Sequence, residues 1–495
     1  MGLGVGSAPD RRRQDGLSEL SIHFAPAGTL PAGAVSSTSV RLCIRRREWL
    51  LVLAVSLGCI LFGISTLKPQ TLQAYDQPLY LGIASDLLQT GTYTNGRWGE
   101  AGKPGAYTAP LYPALIAGVA ALDSRLASSA ACVRAAPWPA MAACGDALGA
   151  LLPLQIALLA GTLALVWRST LAIGGGRWAA WYALLAAGIG TTEYAVYART
   201  AMTEALSLPL SALCGLWSVQ LVQRPRAMLA VALGIGLGLL TLARPEYLYL
   251  TAAIGIVGVT VALWDRRLGL AMAAACVIGG ATIAPWSLRN EALFGTVAPT
   301  SGYAGFILAQ RMAYEAMTPM EWLAQWLYAL PGFGPAAARM AFPNDVARLG
   351  WQERPDTFYM VGNTTMVQEL AAKAPNPADQ VGYLIRTYVW PHPFRFAAVT
   401  LVMAWKSLWV RKYFSIVAVP FFAVMLWQAI RRRDRLRLAF VLPPLFIVAL
   451  HAATSVATPR YSLILVPAYA AAFGLAVGPR LERWWLERRL HRFFP

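Results

Sequence analysis

The chain has 495 residues, of which 57% are hydrophobic and only 13% charged, and its mean hydropathy is +0.49. That composition excludes a soluble globular protein and indicates a polytopic membrane protein. The net charge of +18 does not point to nucleic acid, because many of the arginines lie in short clusters between apolar blocks, where membrane topology accounts for them.

Residues 1–40 are rich in Gly, Ala, Ser and Pro, carry Arg11 to Arg13, and read as a disordered cytoplasmic tail. The first apolar block, Trp49 to Leu67, begins too late and runs too long for a cleaved signal peptide. It reads as a signal anchor whose start is held in the cytoplasm by RLCIRRRE, from Arg41 to Glu48. Further blocks of helical length give ten expected spans, at about 49–67, 147–167, 178–192, 203–222, 227–243, 246–264, 268–286, 413–430, 437–455 and 459–478. Period-two alternation is absent from these blocks, which argues against an outer-membrane barrel. The connections that this count makes cytoplasmic are all basic: Arg168 and Arg177, Arg224 and Arg226, Arg266 and Arg267, the run from Arg431 to Arg437, and the tail after Pro479. The expected fold is an all-α bundle of about ten transmembrane helices. Its parts are an N-terminal membrane core at 41–286 carrying an external loop at 68–146, an external region at 287–412, C-terminal transmembrane helices at 413–478 and a basic cytoplasmic tail at 479–495. Loops this long, with Trp, Tyr and Pro throughout, are usually ordered and functional.

The unusual polar residues all fall on the external side of that topology. AYDQPLYLGIASDLLQTGTY (Ala74 to Tyr93) places Leu79, Ile83, Leu87 and Leu88 at helical spacing and suggests an amphipathic helix along the membrane interface, with Asp76 at its start as cap or functional carboxylate. GEAGKPGAYTAPLYPALIAGVAAL (Gly99 to Leu122) puts Lys103 in a turn before Tyr107 and a second, short interfacial or re-entrant helix. YARTAMTEALSLPL supplies Arg199, Thr203 and Glu204 at the outer start of the fourth span, where a carboxylate is costly unless it faces a cavity or a partner. LTLARPEYLYL adds Arg244 and Glu246, APWSLRNEALFG adds Arg289, Asn290 and Glu291, and TPRYSLILVP adds Arg460 and Tyr461. Carboxylates and guanidiniums from five segments on one face are what a site for an anionic, membrane-borne substrate requires. Cys132 and Cys144, both in the first external segment, form a candidate disulfide on a face that permits one. The four histidines are scattered and no Cys/His cluster forms a metal-ligand set.

Taken together, AYDQPLYLGIASDLLQTGTY, GKPGAYTAPLYPALIA, MTEALSLPL, LARPEY, APWSLRNEALFG and TPRYSLILVPAY resemble, in order, the GT-C superfamily of integral-membrane glycosyltransferases. The resemblance is greatest to the bacterial branch related to protein O-mannosyltransferases and the lipid A aminoarabinose transferase. It implies a sugar donor on a polyprenyl phosphate, transfer at the outer face of the membrane, and an acidic residue after the first span as catalytic base, a position that Asp76 matches; Ala-rich spans with few lysines point to the bacterial inner membrane, with the endoplasmic reticulum as the alternative that composition allows. Asp76-Gln77 stands where relatives often have Asp-Glu, and Lys103-Pro104-Gly105 where they often have Lys-Pro-Pro.

The expected reaction is an inverting displacement in which Asp76 takes the acceptor's proton, worth about 10²–10⁴-fold. Lys103, Arg244, Arg289 and Arg460 are the candidate clamp for the leaving lipid phosphate, and Tyr107, Glu204, Asn290 and Tyr461 complete the expected binding set. Glu204 either orients the acceptor or holds one of the arginines. Tyr303, Tyr314, Trp322, Trp326 and Trp351 of the second external region are candidates to close over the sugar. The sequence requires no cofactor, although some members of the superfamily use a divalent metal to hold the phosphate. The expected partners are the polyprenyl-phosphate sugar, membrane lipids and a lipid, glycan or protein acceptor. A transporter or flippase of lipid-linked sugars, a non-catalytic scaffold, and a lipid-linked oligosaccharide ligase or polymerase are the competing readings.

Overall fold

The computed structural model describes residues 46–67, 72, 76–145, 148–190, 193–410 and 413–493; the predicted N-terminal tail at 1–40 lies outside them. Among the described residues there are twenty-one α-helices and no strand. Helices fall at each of the ten expected spans. Seven apolar stretches among the described residues are long enough to cross a membrane by length and composition, and the chain is a multi-pass membrane protein.

Helix α1 (Arg46–Ser65) exposes Leu50, Leu53, Leu57, Leu61 and Phe62, as expected of a helix with one side against lipid. Three helices follow before the bundle resumes: α2 (Gln77–Thr90), α3 (Leu111–Ala120) and α4 (Ser124–Ala135). Helix α2 differs from the surface-lying helix predicted from its periodicity. Leu79 and Ile83 pack against Tyr93 and Trp286, while Leu81 and Ala84 join Tyr112 and Ile116 of α3 and Leu126 of α4. The reason is that α3 and α4 fold back over the side that a two-sided amphipathic pattern would leave to solvent. Asp86 of α2 is buried there, bound by Arg134 Nε at 2.8 Å and by the Thr94 hydroxyl at 2.5 Å. Cys132 and Cys144 are bonded to each other and tie α4 to the segment leading into the bundle.

The membrane core continues with α5 (Leu151–Ala172), α6 (Arg177–Gly190), the short α7 (Glu193–Ala198), α8 (Glu204–Gln223), α9 (Ala227–Ala243), α10 (Tyr247–Val261) and α11 (Arg266–Phe294). Helix α8 packs between α5 and α9, and α11 lies against both α9 and α10. Close approach of α9 to α11 depends on glycine. A methyl group at Gly238 would lie 2.9 Å from the carbonyl oxygen of Gly279, and one at Gly234 2.6 Å from that of Ala275. Glycines four apart on one helix face are the usual means of bringing two backbones together in lipid. Helix α11 runs past residue 286, the predicted end of its span, so Arg289 and Asn290 belong to its last turns and not to a loop.

The second long connection folds into α12 (Tyr303–Met312), α13 (Pro319–Tyr328), α14 (Gly334–Ala341), α15 (Phe358–Val361), α16 (Val367–Lys373), α17 (Pro377–Leu384) and α18 (Pro393–Leu408). It has a core of its own around Tyr314, Met317, Phe358, Val402 and Met403, and this core also takes in Ala452 and Val456 near the end of α20. The chain closes with α19 (Phe414–Arg431), α20 (Arg435–Thr454) and α21 (Val466–Phe493), the last packed along α6. Both long connections therefore meet the same end of the bundle, where α8 begins and α9 and α20 finish.

Candidate active site

Local sequence rules place one charged group after another at that end. In LARPEY, Pro245 lacks an amide hydrogen and excludes helical backbone from the residue before it. Arg244 accordingly ends α9 in an extended conformation, φ −148° and ψ 114°, and Glu246 stands at the start of α10. Glu204 is the first residue of α8, where the helix N-terminus favours a carboxylate, and the Thr203 hydroxyl donates to its Oε2 at 3.3 Å. Arg460 and Tyr461 follow Pro459 in a short 3₁₀ segment, and His451 occupies the last turn of α20. Asp76 precedes α2, yet its side chain makes no cap hydrogen bond to that helix.

Instead, Asp76 meets a residue from the far end of the chain. Arg460 Nη1 donates to Asp76 Oδ2 at 2.7 Å, and Arg460 Nε stands 4.0 Å from Glu204 Oε1. Arg244 Nη1 donates to the same Glu204 oxygen at 2.9 Å, and Arg244 Nε to Glu246 Oε1 at 2.5 Å. His451 Nε2 lies 3.5 Å from that Glu246 oxygen. Carboxylate and guanidinium thus alternate through Asp76, Arg460, Glu204, Arg244 and Glu246. Tyr461 packs against the row: the His451 imidazole lies parallel to its ring at 4.0 Å, and the Arg460 and Arg244 guanidiniums sit 5.0 and 5.4 Å from its centre. Burial opposes the charge on Arg244, but Glu246 and Glu204 outweigh it and hold the guanidinium charged.

Exposure separates the three carboxylates. The Asp76 side chain is 38% exposed, that of Glu246 15% and that of Glu204 2%, so only Asp76 is open to an incoming group. Below the row, a narrow apolar groove runs between α8, α9, α10, α20 and α21, lined by Cys214, Gly215, Leu237, Ile254, Phe440 and Pro443 among others. Tyr247 and Ile464 line both this groove and the small cavity that holds Glu204, Arg244, Glu246, His451 and Arg460, so the two adjoin.

Of the residues singled out in the sequence, the structure brings together Asp76, Glu204, Arg244, Arg460 and Tyr461. Tyr107 stands close by, its phenol pushed up by burial and by the Asp76 charge. Lys103 does not join them: it pairs with Glu100 at 2.6 Å on the surface, both side chains being about 70% exposed. Arg289 and Asn290 are engaged with backbone. Arg289 donates to the carbonyls of Gly105 at 3.0 Å and Tyr93 at 3.2 Å and stacks on Trp286 at 4.4 Å, while Asn290 donates to Ala298 O at 2.9 Å. They fasten the Tyr93–Tyr107 and Ala298–Tyr303 segments to α11, and so position Tyr107 against Tyr303. Glu246, named among the outer polar residues but left out of the expected binding set, also belongs to the row, and His451 is the member that the sequence did not single out. Glu246 has a usable signal, an acidic residue two positions after an arginine in a three-residue break between apolar helices; His451, one of four scattered histidines, has none.

Among the described residues no three His, Cys, Asp or Glu groups are arranged to hold a metal ion. Asp76, Glu204 and Glu246 are each turned onto a guanidinium, so this donor set does not fit a divalent cation.

No family model matches the chain, and no curated protein matches it. Among solved structures the chain is similar to the Archaeoglobus fulgidus oligosaccharyltransferase in its apo form, with a TM-score of 0.49 and 11% identity over 90% of this chain and 52% of that one. It is also similar to the archaeal oligosaccharyltransferase AglB from Archaeoglobus fulgidus in complex with an inhibitory peptide and a dolichol-phosphate, with a TM-score of 0.47 and 11% identity over 90% of this chain and 52% of that one. The chain spans about half the length of these structures. Similarity at this level assigns no activity, and the functional reading rests on the geometry of the site.

Proposed function

We propose that the protein is a GT-C-type glycosyltransferase that moves a sugar from a polyprenyl-phosphate carrier to an acceptor at the extracytoplasmic face of the bacterial inner membrane. The observation that carries this reading is the open carboxylate of Asp76 paired with Arg460 at the head of an apolar groove. A lipid phosphate needs all three parts: a wall for its chain, fixed cations for its charge and a base beside the reacting carbon.

In the resting site Arg460 is occupied by Asp76. A donor phosphate entering from the groove takes the place of Asp76 on Arg460, which releases the Asp76 carboxylate toward the acceptor. The acceptor oxygen then attacks the anomeric carbon from the face opposite the phosphate, its proton passes to Asp76, and the carbon–oxygen bond to phosphate breaks with both electrons leaving on the lipid phosphate. Configuration inverts. Arg460 and Arg244 carry the charge that develops on the leaving group. Glu204, sealed beneath them, holds the two guanidiniums apart and aimed.

The test is transfer of labelled sugar from extracted polyprenyl-phosphate donors, with wild type and Asp76→Asn compared in nanodiscs. Loss of about 10²–10⁴-fold in the turnover of Asp76→Asn, with donor binding kept, is the expected result. Full turnover by the variant would remove Asp76 as base. Uptake of the donor across vesicles by a wild type that transfers nothing would favour a flippase.

A further inference from the structure

Among the described residues, Arg311 is the one arginine with no exposed surface. It lies in the last turn of α12, in the second long connection, and each of its three nitrogens has a partner in a different place. Nη1 donates to Glu315 Oε1 at 2.7 Å within the same connection, Nη2 to the Thr400 hydroxyl of α18 at 3.1 Å, and Nε to the carbonyl oxygen of Ala452 in α20 at 2.9 Å. The guanidinium also sits 5.1 Å from the centre of the Phe396 ring of α18. A buried ion pair adds little stability over apolar side chains of the same volume, so the charge alone does not account for Arg311. What a planar fork adds is direction, because it fixes its three partners relative to one another.

The Ala452 carbonyl is where that direction matters. Helix α20 carries two consecutive prolines, Pro443 and Pro444, in its interior. Each removes a helical hydrogen bond, so the outer half of α20, residues 445–454, takes less of its direction from the inner half. That half ends at Thr454, and Ala452 is among the last four residues, whose carbonyls have no amide within the helix to accept. Arg311 supplies both a donor and a positive charge at this negative end of the helix dipole. Ala452, Val456 and Ala457 also pack into the core of the second connection with Tyr314 and Phe358. The outer end of α20 is therefore held by the second connection.

His451 is the residue next to Ala452, and it touches both halves of the charged row. Its Nε2 is 3.5 Å from Glu246 Oε1, the oxygen that also accepts from Arg244 Nε. Its ring lies on Tyr461 with 4.0 Å between centres and 3° between planes, and Arg460 Nη2 donates to the Tyr461 hydroxyl at 3.2 Å. A displacement of the end of α20 thus reaches Arg244 through Glu246, and Arg460 through Tyr461. The route ends on two cations, so a disturbance along it is read in the binding of an anion.

We propose that Arg311 is a positioning residue for the charged site: it fixes the end of α20 so that His451 holds Glu246 and Tyr461 in place, and these set Arg244 and Arg460 for a lipid phosphate. This rests on the phosphate-binding role given to the two arginines above, and it extends the determinants of donor affinity to a residue of the second connection that lies outside the row.

The test uses the full chain in nanodiscs and two readouts: binding of a sugar-free polyprenyl phosphate by calorimetric titration, and donor KM and kcat in the transfer assay. Arg311→Lys keeps the charge beside Glu315 but not the fork. It should weaken phosphate binding and raise the donor KM by about tenfold, with kcat at saturating donor within about threefold of wild type. His451→Gln should do the same. The double variant Arg311→Lys/His451→Gln should lie within about threefold of His451→Gln alone, because both act along one route. Glu315→Asp keeps both charges and draws the guanidinium back by one methylene. It should raise the donor KM by about threefold, and it carries the test should Arg311→Lys not fold. Unchanged phosphate binding in Arg311→Lys overturns the proposal, as does a fall in kcat with donor KM kept. So does a double variant in which the two losses multiply, the result expected of a merely structural role. A wild type that binds polyprenyl phosphate, binds it more weakly as Arg311→Lys, and transfers no sugar removes the transfer reaction and leaves Arg311 in its role. Transfer with an equal donor KM in wild type and Arg311→Lys does the reverse. A wild type that binds no polyprenyl phosphate overturns both.

Discussion

Asp76 and Glu204 are carboxylates on the same arginine, and surroundings alone give them different work. Asp76 is open and bonded only at its rim, so replacing it alters chemistry more than folding. Glu204 is sealed, with Arg244 at 2.9 Å and Arg460 at 4.0 Å, and removing its charge leaves two buried guanidiniums short of a partner. Glu204→Gln is therefore expected to lower stability by about 3–5 kcal/mol, and Asp76→Asn by about 1 kcal/mol or less, when thermal unfolding of the two is compared in the same nanodiscs. Lys406, on α18, is a second case in which burial decides behaviour. Burial pushes its ammonium down to about 8, with Glu353 opposing the shift, from the ordinary 10.5. The unfolded chain then binds more protons between those values, so the cost of burying the charge is complete below about pH 8 and fades as pH rises to 10.5. Lys406→Met should unfold at a higher temperature than wild type at pH 6.5, with the gain shrinking by pH 9.5; a gain that grew with pH would contradict this account. Residues of this scale were unevenly legible. Asp76, Glu204, Arg244 and Arg460 could be picked out because charge at the end of an apolar helix is unusual wherever it occurs. Lys103 and Arg289 carry the same signal, and only partners distant in sequence show that one pairs with Glu100 and the other holds two loops. Gln77, where relatives of the resembled family often have Glu, accepts the Ala201 amide at 2.8 Å and so joins the start of α2 to the segment before α8.

At the scale of elements, the membrane helices were readable because hydropathy is a local property and lipid enforces helix on every apolar segment. Their limits were less so. Helix α11 outruns its predicted span since Arg289 and Asn290, polar and expected beyond it, find carbonyl partners that let the helix continue. Helix α2 was legible as a helix but not as a buried one, because the residues that cover it are supplied by α3 and α4. The α9–α11 contact shows how an element sets the site from a distance. Gly238 lies less than two turns before Arg244, and its lack of a side chain sets how near α9 can come to α11. Gly238→Leu should separate the two helices and cost about 1–3 kcal/mol by overpacking. Because Arg244 moves with the end of α9, the same variant should raise the donor KM in the transfer assay. A loss of stability with an unchanged KM would show that the Glu204–Arg244–Glu246 contacts hold the arginine in place without α9.

For the molecule as a whole, the decisive feature is that the row of charge adjoins an apolar groove. At formal charges, and with His451 counted neutral, three carboxylates against two guanidiniums leave the row one unit negative, so charge alone would not attract a phosphate. Binding then depends on displacing a carboxylate from Arg460 and on the carrier chain, whose burial in the groove contributes favourably over its whole length. None of this was readable from the sequence, since the groove is made by residues of five helices spread from Ser211 to Ala468. It yields a test that separates the lipid from the chemistry. Gly215 lines the groove eleven residues along α8 from Glu204, about 16 Å at 1.5 Å per residue. A Cβ built there is in ordinary van der Waals contact with the Phe440 ring at 3.8 Å, so a larger side chain presses against Phe440 across the groove. Gly215→Trp should fill the path of a long polyprenyl chain and raise the donor KM more than tenfold. With a two-isoprene phosphate donor, which ends short of Gly215, wild type and variant should give the same KM, because Asp76, Arg460 and Arg244 are untouched. An equal effect on both donors would mean a damaged fold, visible in the unfolding temperature. No effect on either would place the carrier chain outside this groove and leave the alternating row of charges without its lipid.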